Sequence, residues 1–251
     1  IIPNFQLYPE NIQTYMQNIK YNLYHGKLKI KDKVINITIF HNNYKKLCNI
    51  FRYIYIWISI ICDYDIYNNC SDHLNIYITL NPQKKVLPNK NGEPIDRINA
   101  NTAFTFSCKK DNEIHIFREE EWFKVFIHES FHAFGLDFSN IDNIQSLGNN
   151  IFPIKINFHL FESYAETWAT IIHSIFVLYN QESTKQPFNL DMYNKCNNIF
   201  ESEVMFSLFQ CCKIMKHYGI DYNMLCNNKN LNYSEKTPVM SYYFFKSILL
   251  F

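Results

Sequence analysis

The sequence predicts an α+β fold, with a small mixed sheet in the N-terminal half and a helical C-terminal half. Three observations predict it. Before residue 118, short runs alternate apolar and polar residues at the two-residue period of a strand. Beyond it, apolar residues recur at helical spacing over long stretches. The 251 residues hold only five glycines, which argues against a many-turned β-sandwich and against Gly-rich phosphate loops.

In chain order, residues 9 to 24 read as a short helix. Residues 27 to 40 alternate about Asp32-Lys33 and read as a hairpin. Residues 43 to 61 are apolar at mixed spacing. Tyr44, Leu47, Phe51 and Ile54 fit a helical face there, while the density of Ile and Tyr leaves a strand open. Residues 74 to 80 are strand-like and stop at Asn81-Pro82; residues 84 to 97, with Pro88, Asn91-Gly92 and Pro94, form a loop. Two further strands, 102 to 108 and 113 to 117, are joined by Lys109 to Asn112 as a hairpin. The second is expected to be a plain structural strand or one that holds an extended peptide by strand addition.

The pattern then turns helical. Residues 119 to 134 form a helix with Glu119, Glu120 and Glu121 in its first turn, where carboxylates favour the positive end of the dipole. Gly135 stands where a C-terminal cap belongs. Further helices are expected over 158 to 180, 199 to 217 and from about Ser241, after Pro238. The expected division is 1–117, a lobe with the sheet, and 118–251, a helical lobe carrying the histidine motif described below, the two forming one unit.

Apolar residues make up 47% of the chain and aromatics 17%, which excludes a disordered protein. Net charge is +1 and no basic stripe runs along the chain, so nucleic acid is not expected as a partner. The longest apolar run, 53 to 62, falls short of the ~20 residues needed to cross a bilayer, so membrane insertion is not expected. The eight cysteines show no C-x-x-C pair, and the adjacent Cys211-Cys212 suits no disulfide. Buried free thiols in the cytoplasm or another reducing compartment are the expectation. The start at Ile1 and the apolar end, Ile248 to Phe251, read as a piece of a longer protein. Oligomeric state is left open.

The chemistry gathers at His128-Glu129-Ser130-Phe131-His132. Two imidazoles at i, i+4 project from one helix face and supply two of the borderline-soft ligands that zinc takes in a tetrahedron. Glu129, about 100° around the helix, can reach a water on that metal without competing as a ligand. It would remove the water's proton and pass it to a leaving amine. Trp122, Phe123, Val125, Phe126, Ile127, Phe131, Ala133 and Phe134 make this helix apolar nearly all round, so it is buried. Three ionisable groups on a buried helix need a partner, and a metal is one. The plainer reading is two core histidines bonded to carbonyls, with Glu129 paired to a lysine.

A catalytic zinc takes three protein ligands. Asp137 follows Gly135, as in His-x-x-Gly-x-x-His/Asp metalloproteases, but stands one residue short, since the ligand position there is Phe138; capping the loop or bonding to Ser139 is the plainer work for Asp137. The stronger candidate lies in Phe161-Glu162-Ser163-Tyr164-Ala165-Glu166, where two carboxylates share a face of a largely apolar helix and repel unless a cation intervenes. Glu162 would bind the metal and Glu166 would accept a hydrogen bond from a ligand His.

HESFH followed about 30 residues on by ESYAE resembles the gluzincin class of zinc metallopeptidases. The resemblance spans roughly residues 99 to 175. It implies a two-lobed, zincin-like fold with the active-site helix beside a small sheet, one Zn2+ per chain and hydrolysis of peptide bonds in peptide or protein substrates. It makes His128, His132 and Glu162 the ligands, Glu129 the general base and Glu166 the partner of a ligand His. The family commonly has Asp where Glu166 stands, which leaves open an exchange of roles between Glu162 and Glu166. An oxyanion donor, His or Tyr in such enzymes, is not singled out among His159, Tyr164, His173, His217, Tyr218, Tyr242 and Tyr243. The alternatives are a catalytically idle, zinc-stabilised interaction protein and a metal-free helical scaffold.

Overall fold

The computed structural model describes residues 2–41, 44–64, 70–139, 141, 144–181 and 189–251. The elements run α1 (Glu10–Gln17), β1 (Leu23–Ile30), β2 (Lys33–Phe40), α2 (Tyr44–Tyr64), β3 (His73–Thr79), α3 (Arg97–Ala100), β4 (Ala103–Thr105), β5 (Asp111–Ile116) and α4 (Trp122–Ala133). There follow α5 (Gln145–Ile151), α6 (Leu160–Gln181), α7 (Leu190–Tyr218), α8 (Tyr222–Asn227), a π-helical turn (Met240–Phe245) and α9 (Lys246–Leu250). The α+β class holds. Two units group residues 1–85 with 101–139 and residues 86–100 with 140–251. This grouping keeps α4 with the sheet, whereas the sequence suggested a division at 117/118.

In the first unit the sheet order is β1-β2-β3-β5-β4. β1 and β2 form the expected hairpin, β2, β3 and β5 run parallel, and β4 returns antiparallel to β5. Alternation in the sequence becomes rows across the sheet: Ile35 beside Leu74, Ile37 beside Ile76 beside Ile114, and Ile39 beside Ile78 beside Ile116. Every one of these side chains is fully buried. β-Branched residues suit such a pleated, packed surface.

Gly26 lies on the same face opposite Ile37, and α2 packs so closely there that a Cβ would come within 2.4 Å of Phe51. Any larger residue would push the helix away. α2 is helical because Leu47, Ile50, Ile54, Trp57, Ile58 and Ile61 recur at three and four residues and all are buried. That settles the choice its Ile/Tyr density left open; residue 43 lies outside the described residues. Trp57 stacks on Phe131, and Tyr53 meets Trp122 and Phe123, so α2 and α4 are joined by aromatic contacts.

The opposite face is covered by the N-terminal segment, with Ile2, Tyr8, Ile12 and Phe117 in one cluster. α1 stops at Gln17, short of the expected residue 24, because Leu23 pairs with Phe40 in the sheet. Under this cover lies His115, fully buried between the rings of Phe104 and Tyr77. Burial holds its pKa below the ordinary value although Glu113 pulls the other way. A neutral ring satisfies both partners: the Tyr8 hydroxyl donates to Nδ1 at 3.1 Å, and Nε2–H donates to Glu113 at 2.8 Å. Of the two readings open for the strand over 113 to 117, the plain structural one holds. β5 is paired with β3 along its length and with β4 from Ile114 to Ile116, which leaves it inside the sheet and without a free edge for strand addition to a peptide.

The second unit is helical. Phe152, Ile154, Phe158, Ile214, Leu225, Val239, Met240, Phe244 and Phe245 form its core. Phe152 and Phe158 meet Phe245 edge-on at 5.4 and 5.3 Å. α7 begins at an Asn189 cap, whose side chain accepts the Met192 N–H, and leaves through Gly219 at φ 66°. No helix among the described residues is long and apolar enough to cross a membrane.

Glu235 ties the C-terminal helical stretch to the loop before it, accepting the Tyr233 hydroxyl at 2.7 Å and the Met240 N–H at 2.9 Å. Burial nevertheless pushes its pKa up to about 7, above the usual 4.5. The folded state thus holds this proton more tightly than the unfolded chain does. The resulting stability is fully present below pH ~4.5 and is lost as pH rises through ~7. Wild type should lose on the order of 3 kcal/mol from this group between pH 4.5 and 8 in denaturant melts. Glu235→Gln keeps an acceptor for both donors and should remove that loss; an unchanged pH dependence would refute the assignment.

Candidate metal centre

α4 carries His128, Glu129 and His132 on a helix whose residues from 126 to 133 are all buried. The two histidines face each other with Nε2 atoms 3.1 Å apart. The N···N edge of a tetrahedral site with Zn–N bonds of ordinary length is about 3.3 Å. The separation of the pair is close to that edge. Glu129 is 8% exposed, buried beside the pair.

The helix ends as the sequence predicts. Gly135 adopts φ 64°, its N–H returns to the His132 carbonyl, and the Leu136 N–H returns to the Phe131 carbonyl. This double closure is the Schellman ending, which needs a left-handed residue. The helix start differs. Glu121 is the left-handed N-cap and Glu119 and Glu120 precede it, so none of the three lies in the first turn. They bind lysines and backbone instead: Glu119 pairs with Lys46, Glu121 with Lys85 and Lys124, and Glu120 accepts the Lys85 N–H.

The cysteine expectation is also corrected. Cys70 and Cys108 form a disulfide across 38 residues, packed against Gly135, while Cys48, Cys62, Cys196, Cys211, Cys212 and Cys226 are free. The bridge removes the argument for a reducing compartment. It also holds two segments against the C-terminal carbonyls of α4. The Cys108 N–H donates to His132 O at 3.0 Å, and the Ser71 hydroxyl donates to Ala133 O at 2.7 Å.

Asp137, weighed above as a third ligand, bonds to Nδ1 of His132 and has a side chain only 2% exposed. Its other oxygen accepts the Ser139 N–H at 3.2 Å and the Ser139 hydroxyl at 2.8 Å, and Ser139 is in turn 3.1 Å from Ser107. Burial pushes the Asp137 carboxyl up, but hydrogen bonds from His132 and Ser139 outweigh it and hold the pKa below the ordinary value.

In the second unit, α6 carries Glu162 in its first turn and Glu166 one turn on. Thr167, Thr170 and Ser174 each donate to the carbonyl four residues back, which satisfies their hydroxyls inside an apolar helix. Glu166 is buried and lies 3.6 Å from the ammonium of Lys246 on α9, itself 5% exposed along its side chain. The sequence reading missed this lysine. Its signal was a single cation within the apolar stretch from Tyr242 to Phe251, since a buried lysine calls for an acidic partner. Two of the oxyanion candidates are already engaged: His217 donates to the Glu93 carbonyl, and Tyr218 bridges the Ile95 N–H and the Ser234 carbonyl.

No family model and no solved structure matches the chain. It is similar to an uncharacterized protein of Acanthamoeba polyphaga mimivirus, 26% identical over 217 residues, which cover 81% of this chain and 53% of that protein. The chain thus spans about half the length of the curated relative it matches.

Proposed function

We propose that this chain is a zinc-dependent metallopeptidase of gluzincin type with a zincin-like arrangement of helix and sheet. The observation that carries the reading is the buried pair His128 and His132, with Nε2 atoms 3.1 Å apart and Glu129 beside them. In this reading Glu162 is the third ligand. Two neutral imidazoles and one carboxylate leave a net positive charge on a divalent ion. When bound, zinc supplies Lewis acidity, polarising a carbonyl and acidifying water at neutral pH.

The chain's own groups do the rest. The Glu129 carboxylate takes a proton from the attacking water as oxygen adds to the scissile carbonyl carbon. It returns that proton to the amide nitrogen as the C–N bond breaks. Glu166 is held by Lys246, which favours Glu162 over Glu166 as the ligand.

The test is the zinc content of wild type beside Glu162→Ala and Glu166→Gln, the second chosen so that Lys246 keeps a hydrogen-bond acceptor. One zinc per chain, lost in Glu162→Ala and retained in weaker form in Glu166→Gln, is the expected result. Loss in the Glu166 variant alone would exchange the two roles. A wild-type protein without zinc after metal-replete purification would end the proposal.

A further inference from the structure

We infer that Asp137 is the positioning residue for His132, fixing the imidazole in the tautomer that presents a bare Nε2 to the metal. The inference rests on the metal-centre reading above and adds a residue that neither the motif nor the resemblance assigns. An imidazole ligates through a nitrogen without a proton, and which nitrogen that is depends on the bond the other one makes. Here the Asp137 carboxylate lies on Nδ1, and an ionised carboxylate can only accept. The ring proton is therefore drawn to Nδ1, and Nε2 is left with its lone pair towards His128, 3.1 Å away.

The carboxylate is itself fixed. Ser139 gives it two bonds, from backbone and hydroxyl, and Ser107 holds the Ser139 hydroxyl. The backbone bond decides what an amide at this position would do. In Asp137→Asn the Ser139 N–H still requires an oxygen opposite it. The amide oxygen turns to Ser139 and the NH2 turns to His132 Nδ1. An NH2 donor there needs a bare Nδ1, so the ring proton moves to Nε2 and occupies the ligating atom. An isosteric substitution thus inverts the tautomer without removing volume from the buried turn.

The experiment has two readouts on the purified chain. Two-bond 1H–15N correlation spectra of the metal-free protein report the tautomer of His132, assigned by its loss in His132→Gln. Competition with a chromophoric chelator reports zinc affinity. Wild type should show Nδ1–H and Asp137→Asn should show Nε2–H, with zinc bound ~10–100-fold more weakly, the usual cost of losing such a partner. Ser139→Ala keeps the carboxylate and should keep both the Nδ1–H tautomer and the affinity within about threefold, well inside that range.

Nε2–H in wild type, or an unchanged tautomer in Asp137→Asn, would overturn the inference. So would a loss of zinc in Ser139→Ala as large as in Asp137→Asn, because order in the turn would then carry the effect. A wild-type protein with Nδ1–H that binds no zinc would instead overturn the metal-centre reading and leave Asp137 without a metal to serve.

Discussion

Glu129→Gln is expected to lower peptide-bond hydrolysis by roughly 10²–10⁴-fold, the range a positioned proton-transfer group contributes, while one zinc per chain stays bound. The substitution keeps the shape of a buried side chain on α4 and leaves both imidazoles in place. What it removes is a group able to accept a proton from water at neutral pH. Cleavage of a peptide library, read by mass spectrometry with chelator and zinc add-back controls, measures the first quantity; metal analysis measures the second. Zinc retained with cleavage unchanged would mean that Glu129 takes no part. If wild type also binds zinc but cleaves nothing, the chain is better described as a zinc-stabilised interaction protein, in which metal binding serves folding.

Removing the Cys70–Cys108 bridge should destabilise the first unit by about 4 kcal/mol at most in the chain-entropy account for a loop of this size, and by ~2 kcal/mol or more in practice. The 38-residue separation sets that scale. The bridge also lies where the fold is least tolerant of slack. Gly135 packs against both sulfurs, and the Cys108 N–H caps the carbonyl of His132. Cys70→Ser/Cys108→Ser should therefore lower the denaturant midpoint of the first unit. A dithiol reductant, itself oxidised to its disulfide as it reduces the bridge to two thiols, should shift wild type to the same midpoint and leave the double variant unmoved. Eight alkylatable thiols in the unreduced, unfolded protein would show that the bridge does not form.

Local pattern decided most of the elements. Alternating isoleucines in β2 and β3, the i, i+3, i+4 recurrence in α2 and the apolar girdle of α4 are written within a few residues of each other. The fold class was readable for that reason. The histidine pair was readable too, because one helical turn is enough to put His128 and His132 on the same face. Gly135 as the ending of α4 was equally local, a left-handed position three residues past the motif.

What the tertiary structure decided are the meetings of distant residues, to which periodicity is blind. Cys70 reaches Cys108 because β3 and β5 are parallel neighbours, with His73 beside Asp111, and each cysteine lies just before its strand. Nothing in the spacing of eight cysteines singles out that pair. The return of β4 on the other side of β5 puts β5 inside the sheet and closes the edge that strand addition would have needed. Lys246 meets Glu166 across 80 positions of sequence, through packing of α9 on α6. Asp137 was expected to bond to Ser139 and does, but its bond to His132 was hidden, because it depends on the reversal at Gly135 that turns the chain back onto Nδ1. The sequence by itself determined which ionisable groups stand together on α4, since one turn of helix is a local object. Which partners hold those groups was left to tertiary structure, since long-range contacts are selected by the burial and polar satisfaction of the whole fold.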